Sequence, residues 1–267
     1  KECDWAIWLD TDDKLAVDVD LHKIADAAPE GVSQIWMRYA YFRDEHGNIT
    51  PLFSRERLIR LSSKWMWMRR LHEICITDPA TRLDDDRAWV EHANRTEDPE
   101  KGERNFTTLR KMLEEDPQDT WAHLYLAWQY FGSLKWNESV QHFLRFTTLT
   151  QDSKERWQAF VGVAKAYRMA GKFPDSLNAA VAAIREMPGW ADPYYEMAYS
   201  YQAMEQYERA IQWYEDALTR KVPDDRRLLN NPLDYDFNPA VIIHTAYAVR
   251  NDLATAKAAR AQADQLE

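Results

Sequence analysis

The side chains most able to do chemistry lie early in the chain. Asp10-Thr11-Asp12-Asp13 follows directly on the mostly apolar run Trp5-Ala6-Ile7-Trp8-Leu9. Carboxylates two apart, just past such a run, converge on one point. A cluster of that kind is costly unless a cation neutralises it. Hard oxygen donors suit Mg2+ or Mn2+. Taken alone, an acidic turn after a strand is more often a solvated loop built from ordinary turn chemistry. Further along come Arg57 and Arg60, then His72-Glu73, then His92, all residue types that can bind anions, move protons or ligate metals. Asp84-Asp85-Asp86 reads as a solvated turn rather than a metal cage.

Short elements must hold these groups. Residues 5–9 read as a buried strand, because a short apolar run bounded by turn residues has that signature. A helix is predicted from Asp20 to Ala28, ending before Pro29. Ile35 to Phe42 reads as a strand, with a turn at His46-Gly47-Asn48. Leu58–Leu61, Trp65–Met68, Leu71–Ile76 and Ala88–His92 are further strand candidates. Residues 1–100 therefore form one domain and residues 101–267 another, because the pattern changes there.

After residue 101 apolar residues recur at helical spacing, and 11 of the 13 tyrosines lie in this half. Three segments align. The first reads Leu126-Ala127-x2-Tyr130 and then Trp136-x2-Ser139-x3-Phe143. The second reads Val163-Ala164-x2-Tyr167, Gly171, and Phe173-x2-Ser176-x3-Ala180. The third reads Met197-Ala198-x2-Tyr201 and Tyr207-x2-Ala210-x3-Tyr214. Ala127 and Ala164 are 37 residues apart, Ala164 and Ala198 34. A period in this range marks stacked helical repeats. A proline-rich connection is expected from Val222 to Pro239, followed by capping helices and a degenerate fourth unit at Ile243, Tyr247, Leu253 and Ala256. His123 and His142 fall in helices of the first unit, with no partner at metal-ligand spacing along the sequence.

The repeats resemble the tetratricopeptide repeat over roughly residues 118–220. The first half resembles a family 2-like GT-A glycosyltransferase from its Asp-x-Asp motif onward. The resemblance rests on an ordered series: the apolar strand with Asp10-x-Asp12-Asp13, the Arg-rich Arg57-Leu58-Ile59-Arg60, Trp65 and Trp67, His72-Glu73, then Trp89 to His92, and Gly102 to Leu109 opening the helical part. It implies an α/β fragment of a nucleotide-diphospho-sugar transferase domain followed by an all-α repeat domain, mostly α overall. It further implies Mn2+ or Mg2+ held by Asp10, Asp12 and His92, with Asp10 near the metal or the nucleotide ribose. Arg57 and Arg60 would contact phosphate oxygens of a UDP- or GDP-sugar. Glu73 would act as base, with His72 beside it. A departing nucleoside diphosphate builds negative charge that a divalent ion stabilises. The acceptor would be a protein, peptide or glycan, and the repeats would bind it or a protein partner, or mediate self-association. The family's opening strand–helix units do not precede the motif here, so this stretch is expected to turn over weakly or not at all by itself.

Composition narrows the field. An average chain of this length would carry roughly 19 Gly, and this one has 7. No GxGxxG or GxxxxGK[ST] pattern occurs. A formal charge of −10 argues against nucleic acid as the main partner. Cys3 and Cys75 make no disulfide framework, and no apolar run reaches the length of a membrane span. A reducing, cytoplasmic setting is the expectation. The competing reading is a non-catalytic tetratricopeptide interaction module with a vestigial transferase segment. A metal-dependent hydrolase is a third class, which lacks the clustered His ligands of a two-metal site.

Overall fold

A computed structural model describes residues 3–15, 20–40, 52–71, 73–92 and 99–220. Contacts divide these into two compact units, parting between Thr108 and Leu109.

The first unit holds a five-stranded sheet in the order β1-β4-β3-β7-β2. The strands are β1 (Trp5–Ile7), β2 (Asp13–Leu15), β3 (Gln34–Ala40), β4 (Leu52–Arg60) and β7 (Arg82–His92). All neighbours are antiparallel except β3 and β7, which run parallel. Strand β3 is central because β4 and β7 pair on either side of it, and its alternating Ile35, Met37 and Tyr39 are buried on one face. Ile35 and Met37 pack with Leu58, Ala88 and Ile24 of helix α1 (Leu21–Asp26). Asp20 caps that helix by accepting from the Lys23 N–H. A separate hairpin, β5 (Lys64–Met68) with β6 (Ile74–Asp78), completes the unit.

Several elements differ from the sequence reading. β1 is an edge strand with Ile7 exposed, not a buried one, because only β4 pairs with it. Asp84–Asp86 is not a turn but part of β7. Pairing there jumps from Met37↔Asp85 to Arg38↔Trp89, so Asp86, Arg87 and Ala88 bulge out of the ladder. Asp85 is buried and accepts from the Arg87 guanidinium, while Asp84 and Asp86 on either side stay exposed. A five-stranded mixed sheet, a two-stranded hairpin and the short helix α1 are what the described residues show of the first domain. The GT-A expectation goes further than that. His46-Gly47-Asn48 and His72 lie outside the described residues, as do Val222 to Pro239 and the fourth unit.

The second unit is three helical hairpins, each an antiparallel pair: α3 (Thr120–Gly132) with α4 (Trp136–Leu149), α5 (Ser153–Met169) with α6 (Phe173–Glu186), and α7 (Asp192–Ala203) with α8 (Tyr207–Leu218). Helix α2 (Pro99–Glu115) precedes them. The hairpins repeat in atomic detail. Each first helix ends with a residue at positive φ: Leu134, Gly171 and Glu205. After each, a backbone N–H donates back to a tyrosine carbonyl: Lys135 to Tyr130, Lys172 to Tyr167, Gln206 to Tyr201. The positive-φ residues themselves donate to Phe131, Arg168 and Gln202. This pair of bonds is the Schellman closure, which satisfies carbonyls orphaned at a helix end. Ala127, Ala164 and Ala198 are wholly buried at matching positions. Ser139 and Ser176 Oγ donate to the carbonyls of Ala127 and Ala164 at 2.9 and 2.8 Å, tying second helix to first. The tetratricopeptide-like character of this unit thus rests on geometry as well as spacing.

Candidate functional site

The sheet gathers the chemistry-bearing residues of the first unit by four local devices. The first is the turn after β1. The Asp13 N–H donates to the Asp10 carbonyl, and the Asp10 N–H donates to Asp13 Oδ2, both at 3.0 Å. The side chain mimics a backbone turn, as Asp does readily. The second is the pairing of β2 with β7, which sets Asp13 opposite His92. The third is central β3, which presents Tyr39. The fourth is an irregularity in β4: Ile35 pairs with Leu58 and Trp36 with Glu56, so Arg57 is the extra residue between them. A bulge re-aims its side chain, and here it aims Arg57 at the acidic turn.

Asp12, Asp13 and His92 offer ligand atoms that all lie within 4.8 Å of one another. His92 Nε2 is 3.6 Å from Asp12 Oδ2, and His92 Nδ1 is 3.5 Å from Asp13 Oδ1. Asp13 is the anchor of the group. Its Oδ1 accepts from the Tyr39 hydroxyl at 2.7 Å, and its Oδ2 lies 2.7 Å from Arg57 Nη2. Both Asp13 and Arg57 side chains are fully buried. Burial, then the hydrogen bond to Asp13, push the Tyr39 phenol far above its usual range, so it stays protonated and donates. Tyr39 Oη is also 3.1 Å from His92 Nδ1, which holds the imidazole in place. The Arg57 guanidinium sits between rings, 4.1 Å from the Trp8 centroid and 4.7 Å from that of Tyr39. Burial pulls its pKa down, and Asp13 opposes that pull. Among the described residues, Arg57 Nε and Nη1 find no hydrogen-bond partner.

The residues singled out in the sequence fall as follows. Asp12 and His92 belong to the cluster. Asp10 is half-exposed beside it, its Oδ2 3.8 Å from Arg57 Nη2, and is not among the three converging ligands. Arg57 lies behind the carboxylates, fully buried, with Nη2 2.7 Å from Asp13 Oδ2. Arg60 is committed elsewhere: its guanidinium donates to the carbonyls of Val32 and Pro29 and stacks 4.3 Å from the Trp5 centroid. Glu73 is exposed, and its carbonyl accepts from Arg55. Asp13 and Tyr39 were missed as members of the site. The signal for Asp13 was present in the acidic run; Tyr39 had none beyond its place in a strand. Glu56 is not part of that cluster. It is buried, accepts from the Cys75 N–H, and burial raises its pKa.

The donor set bears on the choice of ion. Two carboxylates with one imidazole fit a divalent cation, and the nitrogen favours Mn2+ over Mg2+. Asp13 already has hydrogen-bonding partners on both oxygens, which makes it the anchor of the cluster beside Asp12 and His92.

In the helical unit the first helices show few exposed residues, whereas the second helices keep an exposed stripe that includes Gln141, Asn178 and Gln212. A half-buried ion pair joins successive first helices: Arg168 Nε to Glu196 Oε2, 2.9 Å, with Arg168 over the Tyr199 ring. No described helix is long and apolar enough to cross a membrane.

No family model matches the chain, and no curated protein matches it. Solved structures similar to it include a crystal structure of MamA, 20% identical, covering 59% of this chain and 87% of that one with a TM-score of 0.45. A second MamA structure is 23% identical over 44% of this chain and 68% of its own, at 0.39. The TPR2B domain of yeast Sti1 in a pHsp70 complex is 18% identical over 38% and 78%, at 0.35.

Proposed function

We propose that the helical unit is a protein-interaction module: stacked tetratricopeptide-like hairpins that present a surface to a protein or peptide partner. The observation that carries this is the recurrence of one closure, a positive-φ residue with its two back-donated bonds, at positions 134, 171 and 205. Such an array grows by nearest-neighbour packing and offers an extended surface for binding. Photo-crosslinkable residues at Gln129, Lys165 and Gln202 on the first helices should trap one protein partner in the native host. The same probes at Gln141, Asn178 and Gln212 on the second helices should not. Equal labelling from both sets would refute the assignment.

A second reading applies to the sheet unit and has its own observation, the convergence of Asp12, Asp13 and His92 in front of buried Arg57. It is metal-dependent glycosyl transfer from a nucleotide-sugar, with Mn2+ or Mg2+ at Asp12 and His92. A cation there would neutralise charge on a departing diphosphate. Asp13 would orient Asp10 and His92, and Tyr39 and Arg57 would hold Asp13 in place. Mn2+-dependent binding of UDP- and GDP-sugars, lost in Asp12→Ala, is the test. Binding that ignores the substitution would sink this reading, and a chain that crosslinks a partner but binds no donor supports the interaction module alone.

A further inference from the structure

The fold brings together two histidines that the sequence separates by 19 positions. His123 lies on α3 and His142 on the antiparallel α4, and their Nδ1 atoms face each other at 2.9 Å. The two rings are held from behind. His123 Nε2 is 3.2 Å from the Pro117 carbonyl, and a carbonyl can only accept, so that nitrogen carries the proton. His123 Nδ1 is therefore a lone pair aimed at its neighbour. A backbone carbonyl on the far nitrogen is the arrangement that fixes the tautomer and orients a ligating histidine. His142 is stacked on the Tyr130 ring, with centroids 5.4 Å apart and planes 20° off parallel. Beside it lies an open hollow lined by Arg110, Leu113, Glu114, Leu126, Tyr130 and His142.

We propose that His123 and His142 form a two-histidine site for a borderline transition-metal ion, Zn2+ or Cu2+, at the α3–α4 junction. Imidazole nitrogen is a preferred donor for both ions. Two nitrogens bound to tetrahedral zinc at about 2.0–2.1 Å lie roughly 3.3 Å apart, so the rings need open by only about 0.4 Å. The proton now shared between the Nδ1 atoms moves to His142 Nε2, and both imidazoles stay neutral. Burial already favours the neutral form of each ring. Water fills the remaining positions from the open hollow, which Glu114 also lines. Asp119 on the α3 cap side favours a cation, while Arg145 on α4 and Arg110 on α2 oppose it. This balance and the count of two protein ligands make the site a weak one beside a structural zinc centre. It differs in chemistry from the carboxylate-rich cluster in the sheet unit and does not depend on the function proposed for either unit.

The test uses the full chain carrying Asp12→Ala, which removes the sheet cluster as a competitor. Zn2+ titration by calorimetry should show one equivalent whose affinity falls at least tenfold in both His123→Gln and His142→Gln. Isotherms unchanged by both substitutions would overturn the proposal. Should either variant lose its helical circular dichroism, the decision passes to Cu2+ bound to the chain with both histidines intact. Its electron paramagnetic resonance should show coupling to two equatorial nitrogens from neighbouring imidazoles. A spectrum with fewer than two nitrogens overturns the site.

Discussion

Replacing Arg57 by Met tests the centre of the sheet unit most directly. Arg57 Nη2 lies 2.7 Å from Asp13 Oδ2, and neither side chain is exposed to solvent. Removing one member of a buried pair strands the other charge, which costs about 3–5 kcal/mol. Met roughly conserves the aliphatic volume beneath Trp8 and Tyr39, so packing loss is small and the cost is electrostatic. Stacking on two rings adds to the loss, about 1–2 kcal/mol where the cation is desolvated. The Tyr39 hydroxyl and the Asp10 N–H still donate to Asp13 in the variant, which keeps the total near the lower end of that range. Hydrogen exchange of the β3 and β7 amides in rising urea isolates this unit from the helical one. Arg57→Met should lower its stability by about 3 kcal/mol, and adding Asp13→Asn should return part of it. The double-mutant cycle should give a coupling of roughly 2–3 kcal/mol. Mn2+ should protect the single variant more than the parent, because the ion replaces the lost positive charge. A cost below about 1 kcal/mol, or strict additivity of the two substitutions, would refute the buried-pair argument.

Three other outcomes follow from the helical unit. A Cβ on Gly162 would meet Phe143 Cζ at 2.5 Å and Cε1 and Cε2 at 2.8 Å, and Phe143 is fully buried. Gly162→Ala should therefore destabilise by about 1–2 kcal/mol despite its better helix propensity, and Phe143→Leu in the same chain should relieve part of that in urea melts. Leu134 and Glu205 hold φ of 58° and 59° where the second hairpin uses Gly171, so Leu134→Gly and Glu205→Gly should each raise stability, by about 0.5–1 kcal/mol; a loss in thermal melts would contradict the closure described. His142 is pushed down from 6.5 to about 4, chiefly by burial. The unfolded chain thus binds a proton between those values that the folded one does not, and this contribution is whole above pH 6.5 and lost as pH falls toward 4. Discounted for partial exposure, it is on the order of 1 kcal/mol, and acid unfolding of His142→Gln should lack it.

The helical half was legible because its determinants are local and repeated. Ala127, Ala164 and Ala198 must be small where helices meet, and the period between them survives any single substitution. The closures were visible only where Gly171 marks the positive φ. Leu134 and Glu205 adopt the same conformation without a glycine, since the packed hairpins on either side outweigh a penalty of about 1–2 kcal/mol. The edge strand β1 was misjudged for a different reason. Its apolar composition matches a buried strand, but burial is set by which strands pair beside it, and that pairing is non-local.

The candidate site shows where linear reading stops. Asp12 and His92 are 80 positions apart, and what unites them is the pairing of β2 with β7, together with bulges in β4 and β7 that no residue type announces. The bulge at Arg57 changes its meaning. In an unbroken ladder it would alternate with Glu56 and Leu58 across the sheet; as the extra residue it turns under Trp8 and meets Asp13. An arginine whose sequence context shows only an Arg-rich strand becomes the buried counter-charge of the acidic turn. The same holds for His123 and His142: no spacing along one helix pairs them, and the antiparallel return of α4 does. In both units, groups of ordinary sequence context acquire chemistry through the strand or helix laid beside them. Substitutions at the pairing positions, rather than at the ligands alone, are therefore the ones that separate a built site from a chance cluster.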